Sequence, residues 1–187
     1  MDVRRVVTGH DEQGRAVFVS DERVAPVRPS LLPGTEFHRL WGGDAPPRFP
    51  DAGAMPAHTG YFPPLGGVRF GFFTLPPDEG RGVPPDLDVA GALAELEEML
   101  PGLAAHMEPE APGMHTTATV DFEVVLSGEV QLELDDGATV RLGPGDTVVQ
   151  NGTRHRWSNP GSEPAVLAVF IVGAHHDRVQ PAQDPAG

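Results

Sequence analysis

Cysteine and lysine are absent from this chain, tyrosine occurs once, and aromatic residues make up only 6% of it. Without cysteine there are no disulfides, no thiolate nucleophiles and no Cys-ligated zinc or iron–sulfur centres, so any metal must rest on His, Asp and Glu. Without lysine no side-chain amine is available for a Schiff base, which excludes pyridoxal-phosphate chemistry. No nucleotide cofactor is expected either. All 13 basic residues are arginines against 27 acidic ones, and the resulting charge of −14 repels polyanions and leaves no basic stripe, so nucleic acid is not expected as a partner. No apolar run approaches bilayer-crossing length, and the charged start MDVRR is not followed by a leader-like segment. A cytoplasmic protein without a membrane partner is the expectation.

What the chain has in quantity is glycine (23) and proline (21), with 39% apolar residues over a length of 187, enough to bury one sizeable core. Many short strands and tight turns follow from that, and the fold class is mostly β. Residues 4–8 and 16–20 read as a hairpin, and residues 35–41 and 67–75 as two further strands divided by a long, proline-rich loop. Residues 88–100 form the one helix: Asp88 caps it, Val89, Leu93, Leu96 and Leu100 share a face, and Pro101-Gly102 ends it. That face is expected to pack across a barrel. Strands follow at residues 117–126, 129–134, 138–142, 146–150, 155–158 and 165–172, separated by glycine-containing turns. One domain over residues 1–174 and an unstructured tail over residues 175–187 complete the reading.

Alternate side chains of a strand share a face. From His115 onward one face carries His115, Thr117, Thr119, Asp121 and Glu123, and the other carries Thr116, Ala118, Val120, Phe122 and Val124. Taken alone, the alternation fits a strand with its polar face in water as well as one lining a polar interior. The spacing is more specific. The segment GMHTTATVDFEVVLSGE, followed by GPGDTVVQNGTRHRWSN, resembles the two signature motifs of the cupin superfamily. His115 takes the first His position, Asp121 the Glu position, and Gly128 follows; Gly145, Gly152, His155 and Asn159 match the second motif. Thr117 stands where the second His is usual, the Glu is the shorter Asp121, and Gln150-Asn151 replaces the usual proline region.

The resemblance covers residues 113–173 and implies a cupin jelly-roll, or double-stranded β-helix, barrel. Its motif-bearing core would span residues 113–174, preceded by an amino-terminal β extension, loop and short helix over residues 1–112. The resemblance also implies a site at His115, Asp121 and His155, either as acid/base residues or as a two-His, one-carboxylate set for one divalent metal (Fe, Zn, Ni or Mn). Thr117, Thr119 and Glu123, on the same strand face, and Trp157, which shares parity with His155 and Asn159, are candidate substrate contacts. His38 and Trp41 in FHRLW either reach the pocket or pack.

The motif wording is also similar to small single-domain cupins found among secondary-metabolite genes. This implies a small-molecule enzyme of the lyase or isomerase type, acting by dehydration, decarboxylation or cyclisation on a polyketide-like substrate. A mononuclear non-haem iron oxygenase and a non-catalytic metabolite binder are the alternatives. A homodimer is expected, because the amino-terminal strands leave sheet edges that need cover.

Overall fold

The computed structural model describes residues 1–79 and 82–179. A hairpin of β1 (Val3–His10) and β2 (Ala16–Val24) opens the chain. It is followed by β3 (Glu36–Gly43), β4 (Val68–Leu75), the helix α1 (Val89–Met99), β5 (Thr119–Ser127), β6 (Val130–Glu133), β7 (Thr139–Leu142), β8 (Thr147–Asn151), β9 (Arg156–Ser158) and β10 (Ala165–Gly173). β4 lies within one residue of the expected 67–75, whereas β2 starts where expected but runs to Val24, beyond the expected 16–20. β3, β4, β10, β5 and β8 lie side by side in one antiparallel sheet, and β7, β6 and β9 form a second.

The two sheets close on each other through Leu75, Val125, Val130, Ala165 and Leu167, with Leu142 and Trp157 packed against them from the smaller sheet. This is the jelly-roll barrel that the motifs imply. Its other end is closed by α1 and the residues after it, where Leu96, Leu100 and Leu103 meet Phe37, Phe62 and Ile171. Gly128, at the turn between β5 and β6, has a φ of 74°. A Cβ there would sit 2.6 Å from the Ala165 main chain, so the turn needs glycine for both conformation and space.

The helix begins where expected: the Asp88 carboxylate accepts from the Gly91 main-chain N–H at 3.1 Å. Its buried line differs from the expected one. Ala92, Leu96 and Leu100 are buried, whereas Val89 and Leu93 are 53% and 43% exposed. A single ridge of residues spaced by four reaches the sheet, and the flanking positions Val89 and Leu93 stay in water.

The expected tail is also shorter at its start. His176 Nε2 lies 3.1 Å from the Gly152 carbonyl oxygen, and its Nδ1 accepts from the main-chain N–H groups of Arg178 and Val179, so residues 175–179 are attached to the barrel rim. The rest of that segment lies outside the described residues. Among the described residues no helix is long and apolar enough to cross a membrane.

Candidate active site

The strand that carries the first motif turns its polar face inward. Thr119, Asp121, Glu123 and Val125 of β5 are all buried, while the alternating Phe122, Val124 and Leu126 are exposed. Sheet packing therefore decides between the two readings of the alternation, in favour of a polar interior. Asp121 is 5% and Glu123 6% exposed, and Asp121 Oδ1 and Glu123 Oε2 have no hydrogen-bond partner. The strand register extends this face across the sheet. Asp121 stands opposite Gln150 and Ile171, and Ile171 opposite Arg69; Glu123 stands opposite Val169, then Gly71, then Arg39.

Burial sets the charge states here. Removal from water pushes the Asp121 carboxyl up to about 6, a rise that a hydrogen bond from Thr119 opposes. Thr119 in turn shares a 2.7 Å hydrogen bond with Thr117, the threonine at the missing-His position. Glu123 is pushed up further, to about 8, by burial and then by the neighbouring Asp121 charge. Glu123 is therefore mostly protonated at neutral pH, and the strand presents a carboxyl acid beside a carboxylate.

The histidines form a separate group. His115 and His155 pair as an isolated antiparallel bridge, and their rings are 4.1 Å apart between centroids. His115 Nδ1 lies 3.0 Å from the Gly113 carbonyl and His155 Nδ1 2.8 Å from the Thr153 carbonyl. A carbonyl only accepts, so both Nδ1 atoms carry the proton and both Nε2 atoms present free lone pairs. Burial lowers both rings' pKa values, His155 to about 4 with a further contribution from His115. Trp157 stands edge-on to His155 at 6.4 Å between centroids and packs against the Leu75, Val125 and Val130 core. Asn159, fully buried, instead ties β4 to the turn before β10 through the carbonyls of Leu75 and Glu163.

His115, Asp121 and His155 are thus all inside or at the rim of the barrel, but they do not converge as a metal triad. Among the described residues, no three His, Asp or Glu side chains stand where they could hold a metal ion. The physical reason is in the two departures from the motif: Thr117 supplies no imidazole, and Asp121 is a methylene shorter than the usual Glu. The residues present therefore do not fit the divalent metal that the resemblance implies. His38 and Trp41 are not brought to this row. The register pairs them with Phe72 and Phe70, on the opposite face of the sheet, where His38 is buried and Trp41 lies 6.0 Å from the Arg5 guanidinium.

Several interior residues carry no motif. Gln150, directly opposite Asp121, donates from Nε2 to the Thr153 carbonyl that also holds His155, so it positions that ring. Tyr61, from the long loop, packs edge-on against Phe37 and is raised in pKa by burial and by the charges of Asp121 and Glu123, an effect opposed by Arg39. His106 stacks edge-on to Phe62 beside the His115 strand. The one sequence signal for Tyr61 is that it is the chain's single tyrosine, in a loop too long for a simple connection.

Two sheets closed over a buried polar row define a small β-barrel protein of the double-stranded β-helix class. Residues 104–172 match the family model of the Cupin domain. The oryzines biosynthesis cluster protein J of Aspergillus oryzae (strain ATCC 42149 / RIB 40) is 36% identical over 89 residues, 48% of this chain and 46% of that protein. The cupin-domain-containing oxidoreductase fogC of Aspergillus ruber (strain CBS 135680) is 30% identical over 159 residues, 84% of this chain and 64% of that one. The chain thus spans less than two thirds of either relative's length. A solved Cupin 2 conserved barrel domain protein from Salinispora arenicola CNS-205 aligns over 83% of this chain and 92% of its own, at 16% identity and a TM-score of 0.42.

Proposed function

We propose that the protein is a small-molecule enzyme of secondary metabolism that moves protons within the barrel, in a lyase or isomerase reaction such as dehydration, decarboxylation or cyclisation. The observation that carries this reading is the division of the interior into neutral bases and a held acid. His115 and His155 offer Nε2 lone pairs, and burial keeps them unprotonated at neutral pH. Asp121, on the same buried polar strand face, is raised to about 6, close enough to neutrality for a carboxylate that takes up a proton and gives it back during turnover. Pairs of groups whose surroundings push their pKa values apart are what acid/base chemistry near pH 7 requires. The oryzines relative is named for a biosynthetic cluster, which supports a secondary-metabolic setting.

A second reading, a cupin oxidoreductase, is favoured by the name of the Aspergillus ruber relative. One experiment separates the two. Purified protein is incubated in deuterium oxide with metabolite extract from a producing culture whose own copy of the gene is deleted, and new products are followed by mass spectrometry. Proton-transfer chemistry gives products carrying solvent deuterium on carbon, lost in His155→Ala and His115→Ala. A product differing from its precursor by two hydrogens, formed only with an added oxidant or reductant, assigns the oxidoreductase instead. No consumption of any metabolite by the wild-type protein overturns both and leaves a binding protein.

A further inference from the structure

His115 and His155 both carry their proton on Nδ1, and a third histidine does the reverse. His176 Nε2 faces the Gly152 carbonyl oxygen at 3.1 Å; a carbonyl only accepts, so Nε2 carries the proton. Its Nδ1 accepts from the main-chain N–H groups of Arg178 and Val179, each at 3.1 Å, so Nδ1 is unprotonated. One neutral tautomer satisfies all three contacts, and the imidazolium does not. A second proton, on Nδ1, would face two N–H donors and turn two hydrogen bonds into two repulsive contacts.

The ring has a seat on the barrel rim. Gly152 has a φ of 58°, and a Cβ there would stand 3.1 Å from His176 Cδ2 and 3.1 Å from the Thr117 carbonyl oxygen, so glycine leaves the space in which the ring lies. The last main-chain anchor before it is Ala174, whose N–H donates to the Ala118 carbonyl. Among the described residues, the hydrogen bonds of residues 175–179 meet at one residue, His176. On its own segment His175, Asp177 and Arg178 are exposed to water. On the neighbouring turn the charge of Arg154 is committed to Glu108 and Asp135, and the strand beneath presents the uncharged Thr117 carbonyl.

We propose that His176 is a pH-operated clasp: neutral, it holds residues 175–179 against the Gly152 turn, and protonated, it lets go of Arg178 and Val179. Imidazoles change charge between about pH 5 and 8, so the clasp works in the physiological range. Thr153, the residue after Gly152, holds His155 Nδ1, so the clasp closes one residue away from an anchor of the candidate site. It operates whatever reaction the barrel carries.

Imidazole nitrogen NMR and backbone relaxation of the full chain, at pH 7.5 and 5.5, test this. At pH 7.5 His176 is expected as the Nε2–H tautomer, with order parameters at Arg178 and Val179 near the rigid value of about 0.85; at pH 5.5 both should fall below about 0.6. The loss should share its midpoint with the titration of the His176 ring, read from the ring's own nitrogen shifts. His176→Gln offers an acceptor and a donor without a titrating group, so both residues should stay ordered at both pH values. His176→Ala should leave both mobile at either pH. His176 lies outside both core clusters, so the two variants should fold as the wild type does. An Nδ1–H tautomer at pH 7.5, wild-type order that survives at pH 5.5, a loss with a midpoint other than that of the ring, or an acid-induced loss shared by His176→Gln would each overturn the proposal.

Discussion

His115 and His155 hold each other by a reciprocal pair of main-chain hydrogen bonds, each 2.9 Å, which sets their rings 4.1 Å apart. The contact joins the two motifs and makes each imidazole part of the other's surroundings. With both Nδ1 atoms committed to carbonyls, imidazole nitrogen NMR should show the Nδ1–H tautomer for both rings at neutral pH. His155 should stay neutral until about pH 4. A His155 midpoint near the ordinary value of about 6.5 would contradict the burial and pairing described above.

Glu123 should leave a signature in stability against pH. Its folded pKa of about 8 lies above its unfolded value, so the folded state binds more protons between the two. The stabilising contribution is fully present below the unfolded pKa and is lost as pH rises through about 8. Asp121 behaves in the same way up to about 6, while His155, lowered to about 4, pushes the opposite way below its ordinary pKa. Between about pH 6.5 and 8 only the Glu123 effect remains, with a slope of at most roughly 1.4 kcal/mol per pH unit. Denaturant unfolding of wild type should show stability falling over that window, and Glu123→Gln should flatten it.

The buried line of α1 separates two leucines that look equivalent in sequence. Leu96, 3% exposed among Phe37, Phe62 and Ile171, should cost about 2–5 kcal/mol when changed to alanine. Leu93, 43% exposed, should cost less than about 0.5 kcal/mol. Comparable losses for Leu96→Ala and Leu93→Ala in chemical unfolding would mean that the helix packs by another face.

The expected dimer has a specific surface to test. The outer face of the five-stranded sheet carries a cross-strand row of Trp41, Phe70, Phe170, Phe122 and Val149, of which the last four are 40%, 41%, 46% and 56% exposed. So large an apolar row on one face is unusual for a monomer, and we expect a second copy to cover it. Light scattering should give twice the chain mass for wild type and the single mass for Phe122→Asp combined with Phe170→Asp. A wild-type monomer at micromolar concentration would remove the expectation.

The local pattern determined a good deal by itself. Period-2 alternation and glycine turns placed the barrel strands, Asp88 and Pro101-Gly102 bounded the helix, and motif spacing picked out His115, Asp121 and His155, because each of these signals lies within a few residues of chain. Tertiary structure alone decided which face of each strand meets water. Thr119, Asp121 and Glu123 are buried on the inner face of the five-stranded sheet, and His38 and Trp41 fall on the other side because β3 pairs with β4 in that register. Tertiary structure also divided the expected triad in two. Asp121 stays on the strand among its own neighbours, while His115 and His155 turn to each other across two separate segments, a contact that no spacing rule contains. The charge states follow from the same cause: a carboxyl is an ordinary acid in sequence, and becomes a proton donor near neutral pH only when strands far apart in the chain remove its water.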